Sequence, residues 1–234
     1  MARISLDPPR TLSYRLASWF SRRRYGAVLD PAAALAHNLR VGWSYSLFEL
    51  QVERWKRLDP GLKDLAVMAA AANIGCSWCM DFGYWDTTTR QDAMAEKIRA
   101  IPDWQDSEVF TELERLVMLY AEAMTMTPPL VTDDLVARLR QHLDEAQLVE
   151  LTAIIAVENM RSRMNSALGL TAQGFTDRSE PEGRGAAWTE ERGTTSDEGR
   201  RRLKGGPEAS QRHNEPEGHG RAQEHRELPV ASSG

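Results

Sequence analysis

Along most of this chain apolar residues recur with the period of an α-helix. Leu12, Leu16, Trp19 and Phe20 fall at i, i+4, i+7 and i+8, one stripe of a helix whose other face carries Arg15, Arg22 and Arg23. Residues 1–29 are therefore expected to form a basic amphipathic arm that packs on the core or on a neighbouring subunit. A helix lying on a membrane surface is the competing reading. Asp30-Pro31 is a helix-start signal, with Asp as N-cap and Pro at the first helical position. It opens a short helix over 32–38, and a longer one over 41–58 carries Trp43, Leu47, Leu50 and Trp55. Asp59-Pro60 repeats the signal, and the helix it starts runs through Asp64 and the Ala-rich stretch 65–74 to Gly75.

Gly75 is placed to end that helix and let a new one begin. The new helix is expected to reach Tyr84 or Trp85, with Thr87-Thr88-Thr89 as a connection and a further helix over 91–101 ended by Pro102. Phe110, Leu113, Leu116, Val117, Tyr120 and Met124 mark a long amphipathic helix that Pro128-Pro129 stops. Thr132 caps the next, with Leu135 and Leu139 inward, and Asp144 caps a last one over 145–168 that ends at Gly169. No segment alternates with a period of two. The fold class is all-α.

Composition sets the limits of that domain. From residue 176 to 234 the only large apolar side chains are Trp188, Leu203, Leu228 and Val230, too few to offset the entropy of ordering the backbone. This charged, Gly-rich tail is expected to be disordered, leaving one domain over 30–175. The net charge of −5 speaks against nucleic acid as a partner. The longest apolar run stops near ten residues, well short of the roughly 20 that span a bilayer. With no signal-peptide pattern at the start, the expected location is cytoplasmic, where thiols stay reduced.

Chemistry enters with the chain's two cysteines, Cys76 and Cys79. A structural zinc takes four ligands, and the expected domain adds only His37 and His142. His213, His219 and His225 fall in the tail, so neither a metal nor another cofactor is expected. Residues three apart share a helix face, within reach of a disulfide. In the first turn of a helix the N-terminal dipole also favours the thiolate. The bland reading is two small buried residues in a helix of small residues.

Leu58-Asp59-Pro60, the Ala-rich helix and Gly75-Cys76-Ser77-Trp78-Cys79 together resemble the carboxymuconolactone decarboxylase-like superfamily, in its alkylhydroperoxidase D (AhpD)-like branch. The likeness extends through Asp144-Glu145-Ala146-Gln147-Leu148-Val149-Glu150-Leu151 and the helix of Glu158-Asn159 that ends in Asn165-Ser166-Ala167-Leu168-Gly169. It implies an all-α bundle assembled into homo-oligomers, often trimers or hexamers. It also implies a peroxiredoxin-type activity that reduces hydroperoxides and is recycled by a dithiol donor of lipoyl or thioredoxin type. In that pattern Cys79 is the attacking thiol, Cys76 resolves it in a Cys76–Cys79 disulfide, and Asp64 takes the position of a Glu twelve residues before the first Cys. Gly83 takes the position of a His four residues after the second.

Gly83 carries no proton, and a thiol of pKa about 8.5 is only a few per cent ionised at neutral pH. The candidate substitutes are Asp81, Tyr84 and Glu158. On a straight helix Asp81 points away from the Cys79 face and reads as a solvated charge. Glu158 interrupts the apolar run 148–157 and is the preferred proton acceptor, since a carboxylate there is costly to bury without a partner. Its bland alternative is a polar network with Asn159, Arg161 and Arg163 at a subunit interface. Trp78 reads as a packing residue. Two other functions stay open: a lyase acting on a muconolactone-type acid, and a non-catalytic helical oligomer or binding module.

Overall fold

The structure, a computed structural model, describes residues 2–178. Among them are nine α-helices, and α4 (Pro60–Ile74) runs through their centre. Its start is fixed by Asp59, whose Oδ1 accepts from the amides of Gly61 at 2.9 Å and Leu62 at 3.1 Å. Gly75 ends it in the left-handed conformation, φ 79°, which a residue with a Cβ adopts only at a cost. Leu65, Ala66, Ala69, Ala70 and Ala71 are all buried. Their small side chains let two long helices close on α4, namely α7 (Glu112–Thr125) and α9 (Glu145–Leu168). Both begin in capping boxes, Thr111 with Glu114 and Asp144 with Gln147, each of which satisfies two amide donors that a helix start leaves open. Leu116, Val117, Met118, Leu151 and Ile155 complete the core.

Elements at the rim depart from their sequence-based expectation where tertiary contacts outvote local propensity. α2 is Asp30–Leu35, with Leu29 rather than Asp30 in the cap position. α3 (Leu39–Val52) stops six residues before the expected end. Beyond it Leu58 turns into the core, Lys63 Nζ donates to the Trp55 carbonyl at 2.6 Å, and the buried Glu150 accepts from the Arg57 amide at 2.7 Å and pairs with Lys63. α5 (Ser77–Arg90) passes straight through the three threonines, with Thr88 Oγ1 donating to the Tyr84 carbonyl at 2.8 Å. The expected 91–101 helix is a 3₁₀ turn followed by the short α6 (Ala95–Ala100). α8 is Asp133–Leu139.

The arm behaves differently from its stripe. α1 (Leu12–Tyr25) is tied to the body through its flanks: Arg3 donates to the carbonyls of Ser166, Ala167 and Leu168, and the Tyr25 ring meets Phe82. Its apolar stripe, however, is not laid on this chain's own core. Leu12 is 81% exposed, and Leu16, Trp19 and Phe20 are exposed with it. α3 repeats the pattern, turning Tyr45, Glu49 and Val52 inward and leaving Trp43, Leu47, Phe48 and Leu50 outward. At the other end Thr176, expected in the tail, is buried, and Arg178 donates to the Tyr25 carbonyl at 3.1 Å. The folded part therefore extends past 175. The rest of the expected tail lies outside the described residues.

Candidate active site

The break at Gly75 builds the site. Because α4 ends there, α5 starts afresh with Cys76 as its N-cap residue, and Cys76 Sγ accepts from the Cys79 amide at 3.2 Å. One turn of helix brings the two Cα atoms to 5.3 Å, and the sulfurs are joined in a disulfide. The pair is packed against Ala71 and Trp78 and is almost closed to solvent, with Cys79 at 7% exposure.

The polar half of the site comes from α9. Ser162 Oγ lies 3.3 Å from Cys79 Sγ and 2.6 Å from Glu158 Oε1. Asn165 donates through Nδ2 to Cys79 Sγ at 3.4 Å and to Cys76 Sγ at 3.9 Å. Glu158, Ser162 and Asn165 stand at i, i+4 and i+7, so one helix face carries all three to the sulfurs. Glu158 is 3% exposed. Burial pushes its carboxyl above the ordinary range, against the opposing pull of Arg161 and of the Ser162 hydroxyl. Arg161 is shared unequally. Its guanidinium binds Glu49 of α3 through two nitrogens, Nε at 2.9 Å and a closer Nη2, and reaches Glu158 Oε2 only at 3.5 Å. Burial and the neighbouring Glu49 charge raise the Tyr45 hydroxyl on the same face of α3.

The other sequence-derived candidates lie elsewhere. Asp64 is bound to Arg90 at 3.0 Å and to Gln91 at 3.4 Å. Arg90 is eleven residues past Cys79, about 16 Å along the helix. α4 and α5 form a hairpin about Gly75, so stepping back twelve residues from Cys76 moves away from the thiols, and Asp64 is not part of the site. Asp81 is not solvated either. Its two oxygens accept from the amides of Gln173 at 2.7 Å, Phe175 at 3.1 Å and Thr176 at 2.8 Å, and from the Thr176 hydroxyl at 2.9 Å. It fastens the segment after α9 to α5. Tyr84 is buried with the Arg99 guanidinium over its ring. Trp78 stacks on Phe82 and donates to Gln173 at 3.1 Å, a packing role.

Gly83, at the position of the resembling enzymes' His, faces Met68. A Cβ built there would sit 2.5 Å from the Met68 sulfur, so the thioether occupies the room a side chain would need. Ser162 and Asn165 were not singled out in the sequence. Their spacing from Glu158 was the available signal. Among the described residues there is no group of three or more His, Cys, Asp or Glu side chains able to hold a metal ion, and no helix long and apolar enough to cross a membrane.

Residues 44–123 match the model of the carboxymuconolactone decarboxylase family. The protein YnjA of Escherichia coli is 37% identical over 165 residues, covering 70% of this chain and 90% of YnjA. Among solved structures, the debrominase Bmp8 superposes with a TM-score of 0.63 at 19% identity, over 74% of this chain and 94% of Bmp8. The AhpD core of a peroxidase-related protein from Ralstonia eutropha gives 0.63 at 16%, over 74% and 94% of the two chains. At these identities the two structures speak for the fold, which is AhpD-like, while the likeness to YnjA runs over a longer stretch than the segment the family model matches. On these grounds the chain, with its dithiol pair at the start of α5, belongs to the carboxymuconolactone decarboxylase family.

Proposed function

We propose that the protein is a thiol-dependent peroxidase and disulfide oxidoreductase in which Cys79 attacks a hydroperoxide and Cys76 resolves the product. The observation that carries this reading is the bonded Cys76–Cys79 pair with a hydroxyl and a buried carboxylate in line behind Cys79. A buried structural pair needs no such group behind one sulfur. An attacking thiol needs a proton acceptor, and Glu158 is the one assigned here. The reductant is a dithiol of lipoyl or thioredoxin type, and the setting a reducing compartment such as the cytoplasm. To test this, the purified protein is given a dithiol and an organic hydroperoxide, and dithiol consumption is followed. Iodoacetamide added to the reduced protein is expected to abolish turnover, while the same treatment of the oxidised protein leaves it intact. Turnover that survives alkylation of the reduced protein sinks the reading.

The outward faces of α1 and α3 are assigned to contacts between copies of this chain. A helix that turns Tyr45 and Glu49 inward and Trp43, Leu47 and Leu50 outward has its amphipathicity reversed for a monomer, and monomers seldom expose apolar patches of that extent. Leu47→Glu is expected to lower the mass seen in sedimentation to that of a smaller assembly. A native protein that already sediments as a monomer overturns the assignment.

A further inference from the structure

A single hydroxyl proton serves two neighbours at this site. Ser162 Oγ is 2.6 Å from Glu158 Oε1 and 3.3 Å from Cys79 Sγ, so its one proton can be donated to only one of them at a time, and it can accept from the sulfur only when Cys79 is a reduced thiol. With Glu158 ionised, the charge-assisted bond holds the Ser162 proton on the carboxylate side and turns an oxygen lone pair toward the sulfur. Once the disulfide has been reduced, the Cys79 S–H donates into that lone pair. Shifting two protons together, from sulfur to Ser162 and from Ser162 to Glu158, gives a Cys79 thiolate and a neutral Glu158. In that second state Glu158 donates to Ser162 and Ser162 donates to the thiolate. Every group keeps a partner in both states, and the direction of the chain is reversed.

Two neighbours suit this exchange. Asn165 Nδ2 points a donor at Cys79 Sγ, and a donor favours the thiolate over the thiol. Arg161 has committed its fork to Glu49 and holds Glu158 only by the 3.5 Å contact, so Glu158 can lose its charge without stranding a buried cation. The titratable and charged groups that face Glu158 among the described residues are Arg161 on its own helix, Cys79 on α5, and Glu49 and Tyr45 on α3.

We propose that Ser162 is the proton carrier through which Glu158 activates Cys79, a route from α9 that replaces the one Gly83 cannot provide. This rests on the thiol peroxidase reading above. The chemistry balances as follows. The Cys79 thiolate attacks the outer peroxide oxygen, the O–O bond breaks, and the alkoxide takes the proton back from Glu158 through Ser162 and leaves as the alcohol. Cys79 is left as a sulfenic acid. Cys76 then attacks its sulfur, the S–O bond breaks, water departs with the Cys76 proton, and the disulfide is restored. Two electrons pass from the thiols to the peroxide, and the dithiol donor returns them.

The test uses the full chain in a Cys76→Ser background, which leaves Cys79 as its one thiol. The rate of iodoacetamide labelling is recorded against pH for that background and for added Ser162→Ala, Glu158→Gln and Ser162→Thr. Thermal melts confirm that each is folded. Ser162→Ala and Glu158→Gln are each expected to slow labelling at neutral pH by a factor of about 10 to 30, the range open to a thiolate that falls back to the few per cent ionisation of an unassisted thiol, and to move the labelling profile to higher pH. The double variant should be no slower than either single one, because the two groups act as a unit. Ser162→Thr keeps the hydroxyl and should recover most of the rate. An unshifted profile in either Ser162→Ala or Glu158→Gln overturns the relay, and leaves the peroxidase reading standing if the native protein still turns over hydroperoxide. Shifted profiles with no hydroperoxide turnover by the native protein keep the relay and remove the peroxidase reading.

Discussion

Cys79→Ser is expected to reduce hydroperoxide-dependent dithiol oxidation to background, whereas Cys76→Ser keeps the first chemical step and stops after it. Two physical effects compete at the pair. Cys76 is the N-cap of α5 and its sulfur already accepts an amide proton, so the helix terminus favours negative charge there. Cys79 has Ser162 and Asn165 against its sulfur. Only the second arrangement ends in a group that can take a proton away, and for a thiol titrating near 8.5 that is worth more than a place at a helix end. In Cys76→Ser one equivalent of hydroperoxide should be consumed, and a sulfenic acid on Cys79 should be trapped by a dimedone-type reagent and located by mass spectrometry. In Cys79→Ser no sulfenic acid should form. The opposite pattern, with the trapped oxygen on Cys76, reverses the two roles and makes the helix terminus the dominant effect.

What the sequence disclosed and what it withheld divide along a physical line. Asp59-Pro60, the break at Gly75, the cap at Asp144 and the stop at Gly169 were all legible, because each is a transaction between a residue and backbone within a turn of it. The burial of Glu158 was legible too, as one charge breaking an apolar run. Its partner at the sulfur was not. Ser162 acts on Cys79 across 83 positions of chain, and serine in a helix carries no signal of its own until the fold says what it faces. Asp81 was misread for the same reason. The amides that occupy it come from residues more than 90 positions away. The inward polar face of α3 ran against the amphipathic rule, which assumes that one chain supplies all the burial. Asp64 failed on different grounds. A spacing counted along the sequence fixes a distance along one helix, but a hairpin turns added residues into added separation.

Gly83→His is expected to destabilise the fold without speeding Cys79. A glycine inside a helix costs up to about 1 kcal/mol relative to alanine, so its place in the middle of α5 must be set by packing. The space a side chain would take at 83 holds the sulfur of Met68, itself 1% exposed. Methionine is the most adaptable of core residues, and a methyl at 83 could be met by a swing of the thioether. An imidazole would have to displace it from between α4 and α5. Overpacking of that kind typically costs about 1–3 kcal/mol, and in a domain of this size each kcal/mol lowers Tm by about 2–4 °C. Labelling of Cys79 by iodoacetamide should be no faster than in the parent. Adding Met68→Ala should recover part of the lost stability, a coupling that a double-mutant cycle over the two positions measures. A Gly83→His protein as stable as the parent and quicker to label would show that the α4 side of the thiol still has room for a relay. Otherwise Met68 and Gly83 close that side together, and the proton leaves Cys79 toward α9.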